Sequence, residues 1–201
     1  NGLSYRLEGA PAGATINGQG VITWTPTEVQ GPSTNLITVV VTDDGSPALS
    51  ATNSFAVVVA DVNSAPMLAG VGLQTVAELA TLTVTNRATD SDVPVNGLSY
   101  WLEGAPVGAV IDGEGVITWT PTEAQGPSTN LITVVVTDDG NPALSDTNSF
   151  TVVVTEVNTA PVLAVLPDQT VAELTMLAVT NSVTDSDEPA NGMSYRLEGA
   201  P

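Results

Sequence analysis

The pentapeptide NGLSY at residue 1 returns as NGLSY at 96 and as NGMSY at 191, a spacing of 95 residues both times. Laid on each other, residues 1–65 and 96–160 differ at only 12 positions. Several of the changes are mild, such as Asn17 to Asp112, Asp61 to Glu156 and Ser64 to Thr159. A period of this length makes each unit one structural domain, and the chain must fold the same way more than once. DVNSAP (61–66) and EVNTAP (156–161) mark the natural boundaries, where an extended segment ends in proline. The expected division is a unit at 1–65 lacking its first strands, a complete unit at 66–160, and the opening of a third at 161–201.

Within a unit the local signals are for strands. ITVVVTD (37–43, 132–138) and SFAVVVAD or SFTVVVTE are valine and threonine runs, whose β-branched side chains suit a pleated surface. GVITWTP alternates and stops at proline; LSYRL and LSYWL place Leu, Tyr, Leu on one face. TLTVTN and MLAVTN predict a further strand, and the glutamate segment before each predicts a short first one. NGQG, DGEG, DDGSP and DDGNP supply the turns between them. No segment has a 3.6-residue period. Six or seven short strands per unit predict an all-β fold, tandem antiparallel β-sandwiches with Greek-key wiring.

Composition removes most chemistry. The 201 residues carry a net charge of -19, with 22 acidic groups against three arginines (Arg6, Arg87, Arg196), and no histidine, cysteine or lysine. That excludes serine-histidine and cysteine-histidine nucleophile pairs, the usual zinc and copper ligands, Schiff bases and lysine cross-links. Nucleic acid and anionic membrane surfaces would repel the chain. No apolar run reaches the roughly 18 residues of a membrane span, and no signal peptide is read. Carboxylate pairs can hydrolyse glycosidic bonds, but these acids recur with the units, which suits scaffolding better than one active site, so an enzyme is not expected.

The acids recur at set places: Glu78 in VAEL, Asp90 and Asp92 in TDSD, Glu123 in TPTEAQG, Asp138 in VTDDG, and Glu156 with Asn158 before the proline. These are strand ends and loops. Carboxylates held close raise one another's pKa and destabilise the fold. Three arginines cannot compensate, whereas a hard divalent cation taking about six to eight oxygens can, and calcium fits the ligand types present. Solubility alone would not require acids at the same position of each unit.

DVNSAP (61–66), TDSDVPVNGLSY (89–100), AVIDGEGVIT (109–118) and VTDDGNPALS (136–145), in that order within one period, resemble the motifs of cadherin-like domains. The chain resembles the tandem cadherin-like and immunoglobulin-like repeats of large bacterial adhesin-type surface proteins. That resemblance implies calcium between consecutive units. At the first junction it implies Glu28, Asp61, Asn63, Asp90, Asp92 and Asp138, with Asn96 through its carbonyl. At the second it implies Glu78, Glu123, Glu156, Asn158, Asp185, Asp187 and Asn191, while Asp43 would face a unit before residue 1. The family's second linker aspartate is missing, with Ser64 or Thr159 near its place, so one or two ions per junction are expected.

Trp24 and Trp119 in ITWTP are expected in the core, and Asp112 as a turn former whose place Asn17 takes one period earlier. Trp101 stands where the sister units carry Arg6 and Arg196, on the strand face opposite Leu98, Tyr100 and Leu102, and is a candidate partner contact. The segment 161–201 corresponds to the opening strands that 1–65 lacks. Either the sequence is a window on a longer array, or the tail of one chain completes the head of the next as a filament. The leading expectation is a calcium-dependent, non-catalytic structural repeat of an extracellular or cell-surface fibre, sheath or adhesin stalk, whose partners are its own neighbouring repeats. The alternative is an adhesive module binding glycans or cell-surface proteins.

Overall fold

The computed structural model describes residues 2–199, and by contacts the chain falls into two compact units. One comprises the chain up to Met67 with Thr89–Leu98 and Thr137–Ser145; the other comprises Leu68–Ala88, Ser99–Val136 and the chain from Asp146 onward. Among the described residues regular structure is almost all strand, and the helical elements are two single 3-10 turns, Glu28–Gln30 and Glu123–Gln125.

In the first unit β1 (Leu3–Glu8) pairs antiparallel with β4 (Ser33–Asp43), and β4 pairs with β5 (Ser50–Val59), from Ser33 opposite Val59 to Thr42 opposite Ser50. The short β2 (Thr15–Ile16) and β3 (Ile22–Thr23) form a separate ribbon. Valine and threonine runs stay extended because two substituents on Cβ restrict χ1 and fill the pleat. Among the described residues here, Ile37 and Val40 are the buried aliphatic side chains.

β6 (Met67–Leu68) pairs with β9 (Ala88–Thr89). Between them come β7 (Gln74–Ala77) and β8 (Leu82–Thr85). β10 (Leu98–Glu103), β11 (Val110–Ile111), β12 (Val116–Trp119), β13 (Ser128–Asp138) and β14 (Ser145–Thr155) follow. One sheet runs β10-β13-β14-β7 and the other β11-β12-β8. Their inward residues form the core: Leu82, Val84, Ile117 and Trp119 from the smaller sheet, Val76, Ile132, Val134, Val136, Phe150, Val152 and Val154 from the larger. The alternating burial of β12 and β14 is what a sheet with one dry face produces. This is the expected all-β sandwich with one departure: β7 joins β14 in parallel, Val152 opposite Gln74 through Thr155 opposite Ala77.

Trp119 is buried as predicted, whereas Trp24 is only half-buried. Asp112 and Asn17 are the turn formers expected: Asp112 Oδ1 accepts from the N–H of Glu114 and Val116, Asn17 Oδ1 from Gln19 and Val21. In the tail, β15 (Val162–Leu163) pairs with β16 (Val183–Thr184). The strand predicted at MLAVTN (176–181) does not form, nor does the short one predicted at the glutamate segment before it. A strand needs a partner to take its N–H and C=O groups, and these segments have none among the described residues.

Candidate metal centres at the linkers

Apart from Asp43 and Asp61, the predicted ligands gather into two clusters, one within each unit. In the first unit Asp92 is only 1% exposed, and both of its carboxylate oxygens accept the Ser64 N–H at 3.1 Å. Its Oδ2 also accepts from Asn96 Nδ2 at 2.9 Å. Asp90 Oδ1 accepts the Asp92 N–H at 2.9 Å, the aspartate's short side chain closing a local turn, while Asp90 Oδ2 is buried without a partner. Asn63 joins three parts of the network: its Nδ2 donates to Asp138 Oδ2 at 3.0 Å and to the Pro142 carbonyl at 2.9 Å, and its Oδ1 accepts from Asn96 at 2.6 Å. Asp138 Oδ1 takes the N–H groups of Gly140 and Leu144. Burial alone would push the Asp138 carboxyl up, but the donors at Leu144, Asn63 and Gly140 together hold it below the usual carboxylate range.

Glu28 sits on the first 3-10 turn and accepts the Val93 N–H through Oε1 at 3.2 Å. The turn is fixed by Gln30, whose Oε1 accepts from Thr27 N–H and whose Nε2 donates to the Ala12 carbonyl. Asp61 is exposed. Asp43 holds its own loop, accepting from Leu49 and Gly45 N–H, which lower its pKa in that order of weight.

The second unit contains the tighter group. Carboxylate oxygens of Glu78, Glu123 and Glu156 lie within 4.8 Å of one another. Glu78 is 2% exposed; its Oε1 accepts the Val157 N–H at 2.8 Å, and its Oε2 is buried with no partner. Both oxygens of Glu156 are likewise buried and unpartnered. Burial, then the charges of Glu78 and Glu123, push the Glu156 carboxyl upward. Glu123 occupies the same 3-10 turn position as Glu28 and accepts the Glu188 N–H at 3.1 Å. Asp187 accepts the Thr159 hydroxyl at 2.6 Å, the Thr159 N–H, and Asn191 Nδ2 at 2.7 Å; the hydroxyl leads in holding its pKa down. Asp185 Oδ1 closes the turn on the Asp187 N–H, and Asn191 also donates to Asn158 Oδ1.

Five contributors were not foreseen. The backbone N–H groups of Ser64 and Thr159 anchor the second aspartate of each Asp-x-Asp pair, and Asp139 accepts the Gly97 N–H at 2.7 Å. Gly126 is required by space: a Cβ there would collide with Glu78 Oε2, as one at Gly140 would collide with the Asn63 side chain. The recurring glycine after TEVQ and TEAQ is the signal that pointed to the former. The arginines that form ion pairs do so two residues along exposed segments, Arg6 with Glu8 and Arg196 with Glu198, away from the acid clusters.

A buried carboxylate oxygen without a donor is destabilising in either protonation state unless something positive meets it. Four such atoms belong to Glu78, Glu156 and Asp90. All-oxygen donor sets of this kind fit a hard cation such as calcium and not a soft metal.

Residues 1–60 and 65–155 each match the family described as "Putative Ig domain". The chain belongs to that family. Among curated proteins, this Ig-type chain is 33% identical over 161 residues to the Protocadherin-like wing polarity protein stan of Drosophila melanogaster, a match covering 71% of the chain. It is 30% identical over 179 residues to human Protocadherin Fat 4, covering 82% of the chain. It spans only 4% of the length of either relative. Among solved structures, human CDH23 EC21-23 superposes with a TM-score of 0.59 at 21% identity over 93% of this chain and 74% of that one. The Protocadherin GammaB4 extracellular domain gives 0.55 at 23% identity, over 93% of this chain and 35% of that one. The fold of this Ig-family chain is therefore that of cadherin extracellular repeats, and the resemblance drawn from its motifs holds.

Proposed function

We propose that the chain is a non-catalytic structural repeat of a bacterial extracellular or cell-surface fibre, sheath or adhesin stalk, made rigid by calcium at its linkers. In this reading it divides into repeats at 1–65, 66–160 and 161–201, and its partners are further repeats of the same kind, in tandem or joined head to tail. The observation that carries the reading is the group Glu78, Glu123 and Glu156, with three of its carboxylate oxygens buried and unpartnered.

Glu78, Glu123 and Glu156 would hold the ion at one linker, with Asp185, Asp187, Asn158 and Asn191 beside them; Glu28, Asp61, Asn63, Asp90, Asp92, Asn96 and Asp138 would do so at the other. Calcium supplies the positive charge that such a group lacks, and binding only to the assembled linker it stabilises that state by mass action. The chain's own residues do the positioning. The N–H of Ser64 or Thr159 pins the linker to the Asp-x-Asp turn, and Asn63 ties it to the Asp138 loop. The 3-10 turn fixes each incoming glutamate, and Gly126 leaves room for Glu78. Chelation with EGTA should lower the melting temperature, raise protease sensitivity at 61–66 and 156–161, and shorten the scattering envelope. If EGTA changed none of these, the calcium reading would be wrong.

A binding role for Trp101 has one specific support: its ring is 44% exposed on β10 where the sister units carry arginine. Loss of glycan-array or cell-surface binding in Trp101→Arg, with stability unchanged, would favour that role.

A further inference from the structure

Asparagine is followed by glycine at residues 1, 17, 96 and 191. A glycine offers no Cβ to keep its main-chain nitrogen away from the preceding side chain, so the asparagine amide is open to attack by that nitrogen. Two of these sites, Asn17 and Asn96, lie in the first unit in opposite surroundings.

Asn17 heads the turn NGQG and is exposed, as is Gly18. Its Oδ1 accepts two main-chain N–H groups, from Gln19 and Val21, each at 3.0 Å. Its own N–H bonds the Val21 carbonyl, and its carbonyl takes the Gly20 N–H, so the turn is held from both sides. The amide nitrogen has one long contact, to Gln19 Oε1 at 3.4 Å. The Gly18 N–H has no acceptor among the described residues. Two N–H groups aimed at one carbonyl oxygen stabilise negative charge as it develops there. Asp112, Gly113 and Glu114 are equally exposed in the same turn of the second unit, so water reaches this turn in either unit.

Asn96 is half-buried, and its Nδ2 is held by Asn63 Oδ1 at 2.6 Å and by Asp92 Oδ2 at 2.9 Å. Its Oδ1 takes no donor among the described residues. The Gly97 N–H, which would have to attack, is bound to Asp139 Oδ1 at 2.7 Å. Negative charge on Asn96 Oδ1 would meet no N–H and would build beside the Asp92 and Asp139 carboxylates. Glycine is still required here, since a Cβ at 97 would stand 2.9 Å from Asp139 Oδ2, whereas one at 18 would meet nothing within 4 Å.

We propose that Asn17 is a self-deamidation site, driven by the Gln19 and Val21 N–H pair, and that the linker network keeps Asn96 intact. The Gly18 nitrogen attacks Asn17 Cγ and gives its proton to water, while the carbonyl electron pair moves onto Oδ1 between the two donors. When that pair returns, the Cγ–Nδ2 bond breaks and Nδ2 leaves with a proton from water as ammonia. A succinimide ring then joins Cγ to the Gly18 nitrogen, and water opens it at either carbonyl, giving aspartate or isoaspartate. The aspartate product keeps the turn, because Asp112 makes the same two bonds to Glu114 and Val116. At 96 an aspartate would lose both donations and set a carboxylate against Asp92. The chemistry is independent of calcium.

The test ages the full 201-residue chain in EGTA at mildly alkaline pH, folded and in urea, with circular dichroism confirming each state. Cleavage at glutamate releases 9–28 and 79–103, in which mass spectrometry reads Asn17 and Asn96 separately. Each rate is compared with its own rate in urea, which removes the influence of neighbouring residues. Asn17 should convert at least as fast folded as in urea, and Asn96 about tenfold slower or more, since it must wait for local opening. Asp112→Asn, which places the same Asn-Gly turn in the second unit, should convert at 112 as Asn17 does. Asn17→Asp should melt with the wild type and Asn96→Asp below it. Slower conversion of Asn17 in the folded chain than in urea, or a folded Asp112→Asn chain that stays intact, overturns the role of the donor pair. Asn96 converting as fast folded as in urea overturns its protection by the linker.

Discussion

Replacing Asp92 by alanine probes the linker most directly. Its carboxylate is sealed from solvent and serves two donors, the Ser64 N–H and the Asn96 amide. A hydrogen bond to a charged acceptor contributes about 1.5–3 kcal/mol. Ser64 and Asn96 are only half-buried, so water can partly replace what is lost; two bonds at the lower end make about 3 kcal/mol. At about 4–8 °C per kcal/mol for a domain of this size, the melting transition should fall by about 12 °C or more. Calorimetry in EGTA at neutral pH measures it without a metal contribution. Asp112→Ala, which removes an exposed turn aspartate bonded to Glu114 and Val116, is the matched control and should cost under about 1 kcal/mol. If Asp92→Ala melted within about 2 °C of the wild type, well under 1 kcal/mol on this scale, its hydrogen bonds would not be what holds the linker.

Three further outcomes follow from the same geometry. Glu156, raised by burial and by Glu78 and Glu123, holds its proton more tightly folded than unfolded. Metal-free stability should therefore fall as pH rises from about 4.3, the unfolded glutamate value, through the raised pKa, with the loss complete above it; melts in EGTA should show this slope flattened in Glu156→Gln. Gly126→Ala adds a Cβ against Glu78 at a φ of -111, open to any residue, so collision alone acts. Overpacking of about 1–3 kcal/mol and a weakened calcium response are expected, while Gly113→Ala, with nothing within 4 Å, should be silent in the same melts. Trp119→Ala should cost about 3–5 kcal/mol in denaturant titration, and Trp24→Ala, half-buried at the equivalent place, distinctly less.

Much of this was legible before any coordinates. The period, the valine runs and the Asx turns at Asp112 and Asn17 are local matters, and local rules found them. The recurrence of the acids located both clusters, because repeat position survives folding even when contacts are unknown. Three things were not legible. The parallel entry of β7 is a choice of sheet edge, which alternation does not encode. The segment 169–181 has the composition of β7 and β8 yet forms neither, because strand formation is decided by a partner's edge. The grip of Ser64 and Thr159 on the Asp-x-Asp turns comes from backbone N–H groups, which carry no side-chain signature; Thr159 adds a hydroxyl that Ser64 does not use in this way.

The two linker pins share one more property: Ser64 reaches Asp92 and Thr159 reaches Asp187 across the same 28 residues. Closing a loop of that length is entropically mild, since the cost grows only with the logarithm of its length. Each joint can therefore form soon after its own segment exists, independently of how many units precede it. In the proposed division into repeats, ordering would start at any linker and spread to its neighbours, as in one-dimensional arrays. Duplication of the period carries a complete joint with it, so a longer chain gains reach without needing a new way to fold.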